Sequence, residues 1–162
     1  MKKLLMTAAS VAGCGFLVLT GQPVAPPTVY TANQVAAGRM AYRSSCGKCH
    51  TDTLAGRKGE VGEAPALSSL PAEMQEVVRA AGGQVPPLIG ADFMSEWGTT
   101  RDLSSRIKTA VGGFPPADLS DETYLNLTAY ILQANGARPG AQSLTAATAV
   151  EIRSLTGQAS AK

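Results

Sequence analysis

Apolar positions recur at helical spacing through most of this chain. From about Ala32 to Ser44, Val35, Gly38 and Tyr42 fall on one helical face. Thr31, with Gln34 three residues on, supplies a capping box at its start. A second amphipathic stretch is expected from Pro71 to Ala81, with Met74, Val77 and Val78 on one side, Ser68 or Ser69 as its cap and Pro71 at its first position. A third runs from about Thr100 to Val111, where Leu103, Ile107 and Val111 are spaced four apart. In the last, Ser120 is the cap and Asp121 and Glu122 favour the first turn through the helix dipole. Its inner face carries Leu125, Thr128 or Ala129, and Leu132, and Asn135-Gly136 ends it. Nothing alternates strands with helices and no β-sheet is needed, so the pattern predicts an all-α fold.

The 162 residues allow one domain with appendages. Met1-Lys2-Lys3 and the apolar run from Leu4 to Thr20 have the form of an export signal, giving a leader over residues 1–21. Val11-Ala12-Gly13-Cys14 resembles a lipobox, yet the apolar run continues past Cys14. Lipidation at Cys14, ordinary cleavage from Thr20 to Ala25, and an uncleaved anchor therefore all stand as routes. Residues 22–30 contain Pro23, Pro26 and Pro27 and read as an extended linker. The domain proper is expected over residues 31–136, with an extra helical insertion at about 52–85, followed by an Ala/Ser/Thr-rich tail over 137–162 that wraps the domain in part and then frays. Loss of Lys2 and Lys3 with the leader takes the formal charge from +2 to 0. Neither nucleic acid nor an acidic membrane is implied as a partner, and contact with a membrane is expected only through the N-terminus.

Chemistry concentrates at Cys46-Gly47-Lys48-Cys49-His50. A C-x-x-C-H run is the attachment site of a c-type haem. Its thiols, one helical turn apart, can reach the two vinyl groups of a porphyrin, and the adjacent imidazole can hold the iron through Nε2. A structural zinc site needs four Cys or His ligands, whereas this chain has three Cys and one His in all, with Cys14 in the leader. A thioredoxin-like pair would lie near a βαβ pattern, which is missing from the sequence. A Cys46–Cys49 disulfide would leave the following histidine unexplained. With aromatics at only 5% of residues, a buried porphyrin would also supply the bulk that the core lacks. Covalent haem attachment in bacteria is expected outside the cytoplasm, in keeping with the leader.

The run Gly38-x-x-x-Tyr42-x-x-x-Cys46-x-x-Cys49-His50 resembles the first helix of class I cytochromes c, and Leu127-Thr128-Ala129-Tyr130-Ile131-Leu132 resembles their last. The resemblance covers about residues 31 to 140 and implies helices packed around one covalently attached haem c, with the glycine admitting the last helix and the aromatic packing in the crossing. Pro86-Pro87-Leu88-Ile89-Gly90 resembles the family's P-x-L-x-G loop, which implies that the Pro86 carbonyl accepts a hydrogen bond from Nδ1 of His50. Phe93 and Trp97 are spaced as in haem subunits associated with quinoprotein dehydrogenases, which would put Trp97 near a haem propionate; a core role suits it equally.

The family's usual axial methionine, often in an M-P-P string, is replaced here by Phe114 in Gly113-Phe114-Pro115-Pro116. A phenyl ring cannot coordinate iron. The sixth position is then filled by Met94 or Met74, by a neutral Lys108, or by no side chain, with Phe114 shielding an open site. Loss of the thioether would lower the reduction potential. The resemblance implies a non-enzymatic electron carrier that passes single electrons to and from a redox protein, a quinoprotein dehydrogenase or a terminal oxidase, in the periplasm or otherwise exported. A haem protein binding or sensing a small ligand at an open distal site is the alternative. A weak peroxidase is the third reading, and it lacks a distal histidine.

Overall fold

A computed structural model describes residues 25–58, 66–111 and 119–156. The leader with Cys14, the start of the expected linker at Pro23, the Phe114 loop and the chain after Thr156 lie outside the described residues.

The expected all-α architecture is observed. Helix α1 (Ala32–Ser45) starts at the Thr31–Gln34 capping box, in which both reciprocal hydrogen bonds are made. It leads into the single turn α2 (Gly47–His50). After the pair Arg57–Lys58 (β1) and a short 3-10 helix at Leu67–Ser69 come α3 (Ala72–Ala80), the pair Gln84–Val85 (β2) and α4 (Ala91–Ser95). Helices α5 (Thr100–Val111), α6 (Asp121–Ala134) and α7 (Ile152–Leu155) complete the order.

The largest helix–helix contact is between α1 and α6. A Cβ on Gly38 would lie 1.9 Å from the Asn126 carbonyl oxygen and 2.5 Å from its carbon, so the backbones nearly touch and only glycine fits. Tyr42 fills the space beside this contact, its ring centroid 5.2 Å from that of Tyr130 at 53°. Helix α6 ends in a Schellman turn: Gly136 has φ 92°, its N–H donates to Gln133 O, and the Ala137 N–H donates to Leu132 O.

Several details differ from the sequence expectations. Helix α6 is buried almost all round from Tyr124 to Leu132, apart from Leu125, because α1, α5 and the returning tail enclose it, so the anticipated single inner face is too narrow. Neither Ser68 nor Ser69 caps α3: both fall in the 3-10 helix, and Pro71 is the cap residue of α3 rather than its first helical position. Val77 is exposed while Val78 is buried with Leu67, Leu70 and Val85. A small ladder also exists, antiparallel, pairing Arg57 with Val85 and Lys58 with Gln84.

The expected linker reaches the core sooner than its prolines suggest, for Val29 and Tyr30 are buried in it. Beyond α6, Ala137, Leu144, Ile152 and Leu155 join that core. The Gln34 carboxamide donates to Leu144 O (2.9 Å) and accepts from Leu144 N (2.8 Å), while Thr100 N donates to Val150 O (2.9 Å), so backbone-type bonds fasten the tail to α1 and α5. Among the described residues no helix is long and apolar enough to cross a membrane.

Candidate functional site

Cys46 closes α1, its N–H still donating to Tyr42 O at 2.8 Å, and also opens α2. Cys49 and His50 both donate backbone N–H groups to Cys46 O, at 3.1 and 2.9 Å. Two free, half-buried thiols and an imidazole are thereby gathered on one turn. The Tyr42 hydroxyl, buried at the α1–α6 crossing, donates to Thr51 O at 2.6 Å and ties this turn to the scaffold.

From Thr51 the chain reverses sharply. Thr51 (φ 66°), Leu54 (φ 60°) and Gly56 (φ 70°) all occupy the left-handed region, and Gly56 N donates to His50 O at 3.0 Å. A Cβ on Gly56 would stand 2.2 Å from Val85 O and 2.7 Å from the Pro86 carbonyl, so this glycine lets the strand leading to Pro86 lie directly against the turn. As a result His50 Nδ1 lies 2.9 Å from Pro86 O. A carbonyl oxygen can only accept, so Nδ1 carries the proton and Nε2 is left with its lone pair. This is the pairing that the P-x-L-x-G resemblance implies.

Burial dominates the electrostatics. It pushes the Cys46 thiol up to about 11, with a smaller contribution from Cys49. Cys49 is also raised by burial, against the lowering influence of Arg57 and Lys48. His50 is lowered by burial, which its bond to Pro86 opposes. Neutral thiols and a neutral imidazole suit thioether formation and ligation of iron through nitrogen; an apolar setting that resists thiolate does not suit a thiolate-bound metal. Among the described residues no cluster of three or more His, Cys, Asp or Glu could hold a bare metal ion.

The other expected residues are more scattered. Trp97 is half-buried on the main core, edge-on to Phe93 at 5.8 Å, and its buried Nε1–H has no partner among the described residues. Buried indole donors normally find an acceptor, so this one is free for an acceptor outside the described residues. Met94 packs on the same core and shares with Trp97 and Ile152 a cavity of about 480 Å³. Met74 lies in the smaller cluster, which Cys49 also joins. Lys108 is unsuited to ligation: it is exposed, its ammonium lies 2.5 Å from Asp121, and that hydrogen bond raises its pKa and keeps it charged.

Sequence reasoning passed over Gly56 and Arg57. The Arg57 guanidinium is buried, donating through Nη2 to Lys48 O (2.9 Å) and through Nη1 to Ser69 Oγ (2.6 Å) and Ala66 O (3.3 Å), which pins α2 to the 3-10 helix. In the sequence Gly56-Arg57 reads as an ordinary polar turn, and the only signal was its place soon after the motif.

A helical domain in which the first and last helices cross at a glycine, with a C-x-x-C-H turn at the end of the first and a proline carbonyl on the histidine, is a class I cytochrome c. The family model described as cytochrome c oxidase, cbb3-type, subunit III matches residues 33–131, and the chain belongs to that family. No curated protein and no solved structure matches it. A domain of this family carries covalently bound haem c and has a haem-based role in electron transfer.

Proposed function

We propose that Cys46 and Cys49 form the thioether bonds to the haem, that His50 is its axial ligand, and that the protein passes single electrons between redox proteins outside the cytoplasm. The observation that carries this reading is the 2.9 Å approach of His50 Nδ1 to Pro86 O, one turn from two free thiols. It fixes the ring tautomer and presents Nε2 for ligation. The haem, once bound, supplies the one-electron couple. Cys46 and Cys49 would hold it, and the Pro86 carbonyl would orient the His50 imidazole toward it. Trp97 Nε1–H is the donor we assign to a haem propionate.

Two partners are supported by different features. The family's description points to a terminal oxidase, and the Phe93 to Trp97 spacing to a quinoprotein dehydrogenase. Either docks transiently at the haem edge, where the exposed Arg39, Arg43 and Lys48 flank Cys46 and favour an acidic patch on the partner. The leader supports export to the periplasm, with cleavage, lipidation at Cys14 and retention as an anchor as its possible fates.

The second reading, a haem with an open distal position, is favoured by Phe114 standing where the family usually has methionine. Met94 is the rival sixth ligand.

Mass analysis of mature protein from a haem-maturing host is expected to show one added haem, lost when Cys46 and Cys49 are both replaced by Ala; the bare polypeptide mass in the unmutated protein would refute the assignment. In the oxidised spectrum a Met–iron charge-transfer band would identify a methionine ligand, whereas rapid binding of carbon monoxide by the reduced form would identify the open site.

A further inference from the structure

Asn135 ends α6, and its backbone alone would suffice for that. Its side chain does more. Oδ1 accepts from Gly90 N at 2.9 Å, and Nδ2 donates to Leu88 O at 2.9 Å and to Ile131 O at 2.8 Å. The carboxamide therefore grips both sides of the Leu88–Gly90 backbone from the end of the most deeply buried helix. Leu88 N donates in turn to Leu54 O at 2.8 Å, so the loop is held between α6 and the turn that follows His50. Two residues before Leu88 in the same loop is Pro86, whose carbonyl accepts the hydrogen bond from His50 Nδ1.

We infer that Asn135 is a positioning residue for the haem iron: by clamping the Leu88–Gly90 loop to the end of α6, it holds the Pro86 carbonyl on His50 and so sets the orientation and basicity of the axial imidazole. This inference rests on the reading of His50 as the iron ligand. A firmly held acceptor gives the ring more imidazolate character, which favours ferric iron and lowers the potential. Releasing the clamp acts in the opposite direction.

The test compares holoprotein carrying Asn135→Ala with the unmutated holoprotein and with Leu144→Ala, which removes a buried core side chain on the tail and serves as a stability control. In Asn135→Ala the midpoint potential is expected to rise relative to the unmutated holoprotein. The His50 Nδ1 proton is expected to exchange with solvent faster in the same variant. Leu144→Ala should lower the unfolding temperature without moving either quantity. Asn135→Asp, which keeps the acceptor for Gly90 and loses the donor to Leu88, should also speed exchange, and it serves if the alanine variant fails to mature. An Asn135 variant that is less stable but keeps the parental potential and exchange rate would overturn the inference and leave His50 ligation intact. If the ring protons of His50 in the unmutated holoprotein show no haem shift, the ligand assignment fails and the clamp fails with it.

Discussion

The crossing of α1 and α6 and the segment from Thr51 to Gly90 both support the candidate site, but by different means. At the crossing, backbone meets backbone: Gly38 against Asn126, with Tyr42, Leu127, Thr128, Ala129 and Leu132 at or near complete burial. The later segment has only a satellite core of Leu67, Leu70, Val78 and Val85, and it is held in place largely by single contacts at Gly56, Arg57 and Asn135. Packing of the first kind resists any local opening. The second kind opens at lower free energy, because a few bonds stand between it and solvent. The cysteines and the histidine emerge from the rigid region, while the carbonyl that orients the histidine belongs to the softer one.

The sharpest way to break this contrast is Gly38→Ala. The new methyl would meet the Asn126 backbone, which cannot move aside as a side-chain tip can, so the loss is expected at about 3 kcal/mol, the upper end of overpacking costs. Chemical denaturation of the holoprotein checks this. A loss below about 1 kcal/mol would mean that the helices part easily and that the crossing is not the rigid element. Gly56→Ala tests the other region. Positive φ and the adjacent Val85 and Pro86 carbonyls together predict a cost of about 2 kcal/mol, with Pro86 pushed off His50 and the midpoint potential raised. An unchanged potential would show that the turn does not govern Pro86.

What could be read from the sequence divides along the same line. The crossing was legible because its determinants are periodic and local: Thr31 and Gln34 cap α1, Gly38 and Tyr42 lie on its inner face, and Ser120 to Gly136 spell a helix with both ends marked. The C-x-x-C-H turn was legible because its chemistry sits in consecutive residues. Pro86 was found through resemblance alone, since nothing local to a proline says that a histidine thirty-six residues earlier will meet its carbonyl. Gly56 and the Asn135 side chain also act over long separations and Arg57 over 9 to 12 residues, and each has an ordinary local meaning that hides its role: a turn glycine, a polar residue, a helix end. The two-residue ladder escaped notice because it is too short to show alternation. The tail was expected to wrap the domain in part, and it does, but burial of Val29 and Tyr30 and the choice of Leu144, Ile152 and Leu155 as its anchors escaped, because segments rich in Pro, Ala and Ser carry weak hydrophobic signals even where single side chains reach the core.

A smaller effect separates the regions without disturbing the fold. Arg57→Met keeps much of the side-chain bulk while removing the donors to Lys48 O, Ser69 Oγ and Ala66 O. The expected loss is about 1 kcal/mol, because Ser69 Oγ still donates to Ala66 O and the unpartnered Nε is removed as well. Hydrogen exchange should quicken at backbone amides of α3 and remain slow in α6. Equal acceleration in both helices would mean that the two regions unfold as one unit.

A change as small at neutral pH belongs to Tyr30, where the chain enters the core. Its hydroxyl donates to Ala137 O at 2.5 Å, and burial raises its pKa from 10.0 to about 12. The fold therefore favours the neutral phenol. Its contribution is complete below pH 10, where the phenol is protonated in both folded and unfolded chains, and declines as the pH rises from there through about 12, because the unfolded chain ionises first. Tyr30→Phe gives up one buried hydrogen bond, about 1 kcal/mol at pH 7, and should flatten the alkaline decline in unfolding temperature measured between pH 9 and 12. Tyr42, whose pKa is also raised by burial, remains and leaves a residual slope. A Tyr30→Phe profile parallel to that of the unmutated protein would show that the N-terminal entry opens before the phenol ionises, which would place residues 25–30 with the softer region rather than with the crossing that they cover.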